Sequence, residues 1–474
     1  MTFAGSPLPT DADLDAALEH AFRVLEHVGV AAPSSRALAA LRAGGAAVDH
    51  ERYVARVPRA LVEDCLELTP GTVLLAARDP AHDILLGSER PLVCCADGEG
   101  TLVVDDDSGL VRDATLADMC SVMRLYDALP EIDFLWTSLA APSLEPETAA
   151  LAVDAVALRE SAKHLQSVSP KTVAQVPALV TLLEAAAGAS LAERPIYSIL
   201  HCTVAPLQHD RAMTDANLDL AACGATICLT SMPQMGTTAP MSVAGLCAIV
   251  MAELLSGVVL FQLACPGARL VVEPMPGVTD MRTGGYLGGS AEVALANLAC
   301  VALCRRLGLP TIGSGSTTDA NAVDFQAGAE DMLLWLSVAL AGAHGLVASS
   351  FLNGSRALSP AKVVLDADAI GVLQRLLRGA AFDDAAALLD DVAAVGPGGH
   401  FLGRASTRRR TRAGEVFEPH VLRRRRLEDR VDGALVGDAA ERARELLARH
   451  EVRPLPDEAE RLVHELLPRA QGAG

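Results

Sequence analysis

The segment Thr317-Thr318-Asp319-Ala320-Asn321-Ala322-Val323-Asp324-Phe325-Gln326-Ala327-Gly328-Ala329-Glu330 gathers carboxylates and amides in a short span. It follows a flexible run, Gly313-Ser314-Gly315-Ser316, and leads into the apolar stretch Met332 to Leu340. Carboxylates on such a strand-to-helix turn can relay protons or hold a cation, so Asp319 and Glu330, which flank Asn321, are candidates for catalysis. Asp324, Phe325 and Gln326 are candidates for substrate contact. Asp319 or Asp324 alone is explained equally well as the cap of the following helix. Four polar groups beside a glycine-rich turn are not. A second constellation is Asp280-Met281-Arg282-Thr283-Gly284-Gly285-Tyr286. Asp280 and Arg282 either pair with each other, or Arg282 forks a substrate carboxylate. His201 closes the run that starts at Ile196, and Thr237 sits in the Gly/Thr/Pro loop from Pro233 to Pro240, whose backbone amides can face a ligand. His209 and His344 are the other well-placed imidazoles, and His400, in Gly396-Pro397-Gly398-Gly399-His400-Phe401-Leu402-Gly403, reads as structural. No Ser-His-Asp elbow, phosphate loop, HExxH or kinase signature occurs, and no paired CxxC spacing marks a metal site.

These residues need strands and helices to hold them. From about residue 112, helix-like segments alternate with short apolar runs. The helical segments are Leu116–Leu129, Pro146–Ser161, Val176–Ala187, Asp215–Cys223, Ser242–Gln262, Ala291–Leu307 and Gln326–Ala341. The runs are Ile132–Ser138, His164–Val168, Ile196–Val204, Ala225–Met232, Arg269–Glu273, Thr311–Ser314 and Gly345–Ser350. Alternation at this spacing predicts parallel βαβ units, and seven strand candidates favour an α/β (β/α)8 TIM barrel whose eighth strand is ambiguous. A doubly wound sheet is the alternative, but no GxGxxG follows the first strand. We expect an N-terminal helical and β-rich extension over 1–110, the barrel over 111–403, and a basic segment with C-terminal helices over 404–474. In the extension, Asp11 to Val28 and Ser34 to Arg42 are helical and Pro58 opens a third helix. The tail carries Arg404, Arg408, Arg409, Arg410 and Arg412, then Arg423 to Arg426, and amphipathic helices at Asp438–His450 and Asp457–Leu467. The arginines make either a solvated, salt-bridged surface or a dock for an acidic protein.

The chain has 474 residues, 51% of them hydrophobic and 21% charged, which describes a folded globule and not a disordered one. A formal charge of −20 argues against nucleic acid as the main partner. The run Ser242 to Cys265 is long enough to raise a membrane flag. Glu253, Ser256, Gly257 and Gln262 interrupt it, so a buried helix is the better reading. The first residues show no basic, then apolar, secretory pattern, and we expect a cytoplasmic protein with reduced, buried thiols.

With these motifs in hand, the chain resembles the trimethylamine:corrinoid methyltransferase superfamily over nearly its whole length. The resemblance rests on Arg78-Asp79-Pro80 with Asp83, Met235 through Gly245, Asp280-Met281-Arg282-Thr283-Gly284, the Gly315–Glu330 loop, and Gly396–Gly403. It implies a (β/α)8 barrel that passes a methyl group from a methylated amine to the cob(I)alamin of a separate corrinoid protein, giving methylcobalamin, with no tightly bound cofactor of its own. We expect a homo-oligomer with no nucleic-acid or membrane partner. Some relatives carry pyrrolysine and act on trimethylamine; many lack it and act on quaternary amines such as glycine betaine. Asn321 stands near the pyrrolysine position, so the chain resembles the non-pyrrolysine branch. A quaternary ammonium departs as a neutral amine, which asks for orientation and electrostatics more than covalent activation. Asp319, Asp324 and Glu330 could hold the cation, Arg282 a betaine carboxylate, and an aromatic cage would draw on Trp136, Tyr197, Tyr286, Phe325 or Phe351. Two departures stand out: Ala329 where many relatives carry a large residue, and the basic stretch Arg404–Arg412. A repurposed methylammonium-binding barrel, or an unrelated acid/base lyase or hydrolase, are the alternatives.

Overall fold

The computed structural model describes residues 9–88, 93–96, 98, 100–145, 148–315, 317–348, 350–380, 385–423, 426 and 434–467. Eight short, mostly apolar runs form one parallel sheet: β1 (Val93–Ala96), β2 (Phe134–Trp136), β3 (His164–Ser167), β4 (Tyr197–Cys202), β5 (Thr226–Ser231), β6 (Leu270–Pro274), β7 (Ile312–Ser314) and β8 (Gly345–Ala348). Their order across the sheet is β6-β5-β4-β3-β2-β1-β8-β7. Sequence neighbours are therefore spatial neighbours, and β8 returns to pair with β1, Gly345 opposite Val93. The two remaining edges are tied by a parallel bridge between Val272 of β6 and Thr311, just before β7, with the Val272 N–H donating to the Pro310 carbonyl at 2.9 Å.

Parallel neighbours require a crossover, and a helix supplies each one. These are α1 (Leu116–Ala128), α2 (Ala149–Glu160), α3 (Val176–Ala187), α4 (Arg211–Ala222), α5 (Val243–Ala264), α6 (Ala291–Arg306) and α7 (Phe325–Leu340), while α8 (Pro360–Leu377) follows the last strand. Side-chain oxygens start most of them: Thr115, Asp210, Ser242, Ser290, Asp324 and Ser359 each accept a backbone N–H of the first turn. The fold is thus a mixed α/β one in which all seven anticipated runs are strands of one sheet. The eighth strand, Val93–Ala96, comes from the segment grouped with the N-terminal extension. Helix α8 was not anticipated, because Lys362, Asp366, Asp368 and Arg375 interrupt its apolar pattern. The fold accommodates them in place: buried Lys362 lies 2.6 Å from Asp331 and 2.7 Å from Asp366.

Strand alternation divides the core in two. Leu135, Leu165, Ile199, Ile227, Leu229, Leu270, Val272 and Leu346 pack outward against the helices. Val93, Phe134, Trp136, Cys228, Val271, Met275, Ile312 and Val347 form a separate inner cluster. The antiparallel hairpin Val73–Leu75 with Ile84–Leu86 joins that cluster and closes the end from which the strands start. Helix α5 is long and apolar enough to cross a membrane, with a mean hydropathy of 2.3 over its most apolar window. Its sides are covered by the N-terminal helices Asp11–Arg23, Ser35–Ala43 and Arg59–Leu68, by α6 and by β5. Beyond α8 the tail folds back. Helix Ala434–Arg449 lies against α8 and α1, and helix Asp457–Leu466 against α2 and α3. The buried Arg78 guanidinium holds the turn between them, donating to the carbonyls of Ser161, Arg453 and Pro454.

Candidate functional site

The loops that leave the carboxyl ends of the strands meet on one face, and the β7–α7 loop lies among them. Asp319 is half-buried there and accepts the backbone N–H groups of Gly288 (2.9 Å) and Gly289 (3.1 Å) from the preceding crossover. Burial raises its pKa, as does nearby Glu330, while the two amides oppose the rise. Glu330, one turn into α7, reaches back over the same loop. It accepts the Thr318 hydroxyl (2.6 Å), the Asp319 N–H (2.8 Å) and the Gln326 side-chain amide (2.8 Å). Its carboxylate also lies so close over Gly289 that a Cβ there would meet Oε2 at 2.3 Å. Asp324 caps α7, accepting from the Gln326 and Ala327 amides. The four acids and amides singled out in the sequence thus form one hydrogen-bonded clamp around Gly288 and Gly289.

The other anticipated residues lie around or away from this clamp. Asn321 is exposed at the rim and hydrogen-bonds Asn353. The Tyr286 hydroxyl lies 3.2 Å from the Thr317 hydroxyl, joining the Asp280 loop to the β7–α7 loop. Thr237 bonds Thr279 at 2.8 Å, and Thr279 in turn donates to Gln234. Arg282 is 90% exposed along its side chain and leans on Asp280 at 3.4 Å. Asp280 is held below its usual pKa, chiefly by the Arg282 backbone N–H and then the Thr283 hydroxyl. Phe325 is 90% exposed. His201 is not part of this group. It alternates onto the helix side of β4, buried 2.9 Å from His209, edge-on to Phe261, with His209 bonded to Ser256. Burial pushes both imidazoles down, His209 to about 4, so they pack there as neutral rings.

Inside the sheet runs a polar string that the sequence reading passed over. Gln166 of β3 donates to Glu273 Oε1 at 2.8 Å, and Thr230 of β5 donates to Oε2 at 3.1 Å. The Ser198 hydroxyl and Cys228 thiol both donate to the Gln166 carbonyl, at 3.3 and 3.1 Å. Glu273 is fully buried at the carboxyl end of β6, and Trp136 stands beside Gln166 in the β2–β3 register. Val168, Leu200, Cys202 and Ser314, on the same face toward the carboxyl ends of β3, β4 and β7, are part-exposed. Alternation was the missed signal: Val271 and Glu273 share a face, as do His164, Gln166 and Val168. Burial, then the charges of Glu253 and Glu273, pushes the Cys202 thiol up to about 12. Burial likewise raises Cys228, so these two cysteines are neutral thiols near neutral pH. Among the described residues no cluster of three or more His, Cys, Asp or Glu is set up for a metal ion.

A family model described as trimethylamine methyltransferase (MTTB) matches residues 7–471. The trimethylamine methyltransferase MttB of Desulfitobacterium hafniense is 27% identical over 400 residues, covering 84% of this chain and 80% of that protein. The glycine betaine methyltransferase of the same species is 28% identical over 394 residues, covering 82% and 81%. Among solved structures, the monomethylamine methyltransferase of Methanosarcina barkeri superposes with a TM-score of 0.56 at 12% identity, covering 98% of this chain and 90% of that one, a likeness of fold. An eight-stranded parallel sheet, matched almost end to end by one family model, makes this chain a member of the trimethylamine methyltransferase (MTTB) family.

Proposed function

We propose that the chain is a (β/α)8 barrel enzyme that transfers a methyl group from a quaternary or other methylated amine to the cob(I)alamin of a separate corrinoid protein. The observation that carries this reading is the Gln166–Glu273–Thr230 string in the lumen beside Trp136. A quaternary ammonium has no N–H to donate, so it is held by charge and by aromatic faces. At roughly 5 Å from a carboxylate, with an effective dielectric near 20, the attraction is on the order of 3 kcal/mol. The Gln166 amide and the Thr230 hydroxyl fix the orientation of the Glu273 carboxyl group.

The reaction is a displacement. The C–N bond breaks with its electron pair left on nitrogen, so a neutral amine departs and no proton need move. The corrinoid, a co-substrate brought by another protein, supplies the electron pair that forms the new bond to the methyl carbon. The barrel orients the amine and excludes water, and the protonated thiols of Cys202 and Cys228 do not compete for the methyl group. In this reading Asp319 and Glu330 are positioning residues that fix the mouth loop, with Asp324 and Gln326 supporting them. Asn321, Thr237, Tyr286, Phe325, Asp280 and Arg282 form the rim past which substrate and partner approach.

The direct test incubates the purified chain with cob(I)alamin and a panel of methylated amines and follows methylcobalamin by absorbance. Methyl transfer from at least one member is expected. A folded sample that transfers from none refutes the proposal, and binding without transfer would make the chain a methylammonium-binding barrel instead.

A further inference from the structure

Helix α5 carries Glu253 and Ser256 in the middle of its apolar run, and the displacement above uses neither. Glu253 is fully buried, and three neutral donors converge on its carboxyl group. The Thr203 hydroxyl (2.6 Å) and the Ser231 hydroxyl (2.7 Å) donate to Oε2, and the Leu207 N–H donates to Oε1 at 2.7 Å. Thr203 and Leu207 belong to the β4–α4 loop, and Ser231 is the last residue of β5. The Ser256 hydroxyl, three residues further along α5, donates to the Glu253 carbonyl and lies 3.0 Å from Nε2 of His209, at the far end of the same loop. Helix α5 thus grips the loop at both ends.

The loop needs that grip. Leu207 has φ +57°, in the left-handed region that favours glycine, and such a conformation persists only where its surroundings impose it. The bond from its N–H to Glu253 and the bond its carbonyl accepts from the Ala31 N–H (2.9 Å) hold it there. Both oxygens of a carboxyl group can accept, whereas an apolar side chain at 253 would leave three donors without an acceptor. By alternation Ser231 faces α5 and its neighbour Thr230 faces inward, its hydroxyl donating to Glu273. The Thr203 N–H in turn donates to the Thr230 carbonyl at 3.0 Å. Glu253 therefore holds from behind the two strand ends that carry Cys202 and Thr230.

We infer that Glu253 is a positioning residue, the anchor that fixes the β4–α4 loop and the end of β5 at the mouth, and that turnover depends on it through the placement of Thr230. The dependence of turnover rests on the methyl-donor reading above; the anchoring does not. The test pairs hydrogen exchange with turnover in Glu253→Leu and Glu253→Gln of the full chain. The glutamine can keep its carbonyl for the Leu207 N–H and turn its NH2 to the two hydroxyls, which rotate to accept. In Glu253→Leu, exchange over residues 203–209 should rise by about tenfold or more, while the hairpin of Val73–Leu75 and Ile84–Leu86 at the other end of the sheet stays native. In the methylcobalamin assay kcat should fall by about tenfold or more with KM within about threefold, and Glu253→Gln should stay within about threefold of native in both readouts. A folded Glu253→Leu with native exchange over 203–209, or with native kcat, overturns the inference. So does a Glu253→Gln as impaired in kcat as Glu253→Leu. If Glu253→Leu does not fold, Ser231→Ala carries the test: kcat should fall by about threefold or more, and an unchanged kcat overturns the inference. A native chain that transfers no methyl group refutes the methyl-donor reading, and exchange over 203–209 then decides the anchor alone.

Discussion

Glu330 distinguishes a positioning role from a proton-transfer role, because one isosteric substitution separates the two. Its carboxylate accepts three bonds, two on Oε2 from Thr318 and Asp319 and one on Oε1 from the Gln326 amide. In Glu330→Gln the carbonyl oxygen can replace Oε2 and keep both loop bonds, while Gln326 turns its own amide to accept from the new NH2 group. The loss is the charge assistance on bonds that stay made, roughly 1–2 kcal/mol in all. Glu330→Ala removes every acceptor and leaves the part-buried Thr318 and Asp319 donors with none, at about 1–1.5 kcal/mol each, so roughly 2–3 kcal/mol, while the exposed Gln326 amide turns to water. Chemical denaturation of the two variants measures this difference, and methylcobalamin formation measures turnover. The glutamine variant should keep turnover within about threefold of native, because no proton moves in the displacement, while the alanine variant should lose most of it as the loop over Gly288 and Gly289 loosens. A glutamine variant with near-native stability but turnover reduced by about a hundredfold or more would show that Glu330 is a general acid or base, and the positioning argument would fail.

Further outcomes concern the scaffold. Gly313→Ala on β7 would set its Cβ 2.6 Å from the Val338 Cβ on α7, so it should destabilise by about 1–3 kcal/mol in urea titration, although the strand geometry suits alanine. Lys171→Met leaves Asp154 buried without its ammonium partner and should cost roughly 3–5 kcal/mol, with much of that recovered in Lys171→Met/Asp154→Leu; a single variant as stable as native would remove the ion pair from the account. Asp118 is partly buried, which alone would raise its pKa, yet the Arg112 fork and Thr115 hold it down to about 2 from 3.8. A depressed carboxylate stabilises the fold above its unfolded pKa and loses that contribution as pH falls through the folded one. The stability gap between native and Asp118→Asn should therefore be full at pH 7 and shrink between about pH 4 and pH 2, and a gap that widens on acidification contradicts it.

Much of the architecture was legible because parallel strands buried on both faces read as apolar runs and their crossovers read as helices. Val176–Ala187 is a helix at the anticipated limits, and α6 and α7 agree within a residue or so. Val93–Ala96 was visible as β-rich, but nothing local says that it pairs with a strand near residue 345. That information lies in closure and not in composition. Helix α8 was hidden by charges whose partners, Asp331 among them, are remote in sequence. The mouth loop was found by its clustered carboxylates, yet the donors that occupy them, Gly288 and Gly289, are backbone groups without a side-chain signature. Glu273 looked like the polar end of a strand, and only the alternation of β6 against its neighbours turns it inward.

Because β1 pairs with β2 on one side and with β8 on the other, its second edge stays open for as long as synthesis takes to deliver the last strand, about 250 residues later. A nascent chain that has completed everything before Gly345 therefore exposes bare N–H and C=O groups along β1 and β7, next to an apolar interior. Such edges recruit any other strand available. The yield of folded protein in a cell will accordingly depend on how the ribosome and its chaperones shield that gap, and substitutions in β8 will act on expression before they act on chemistry.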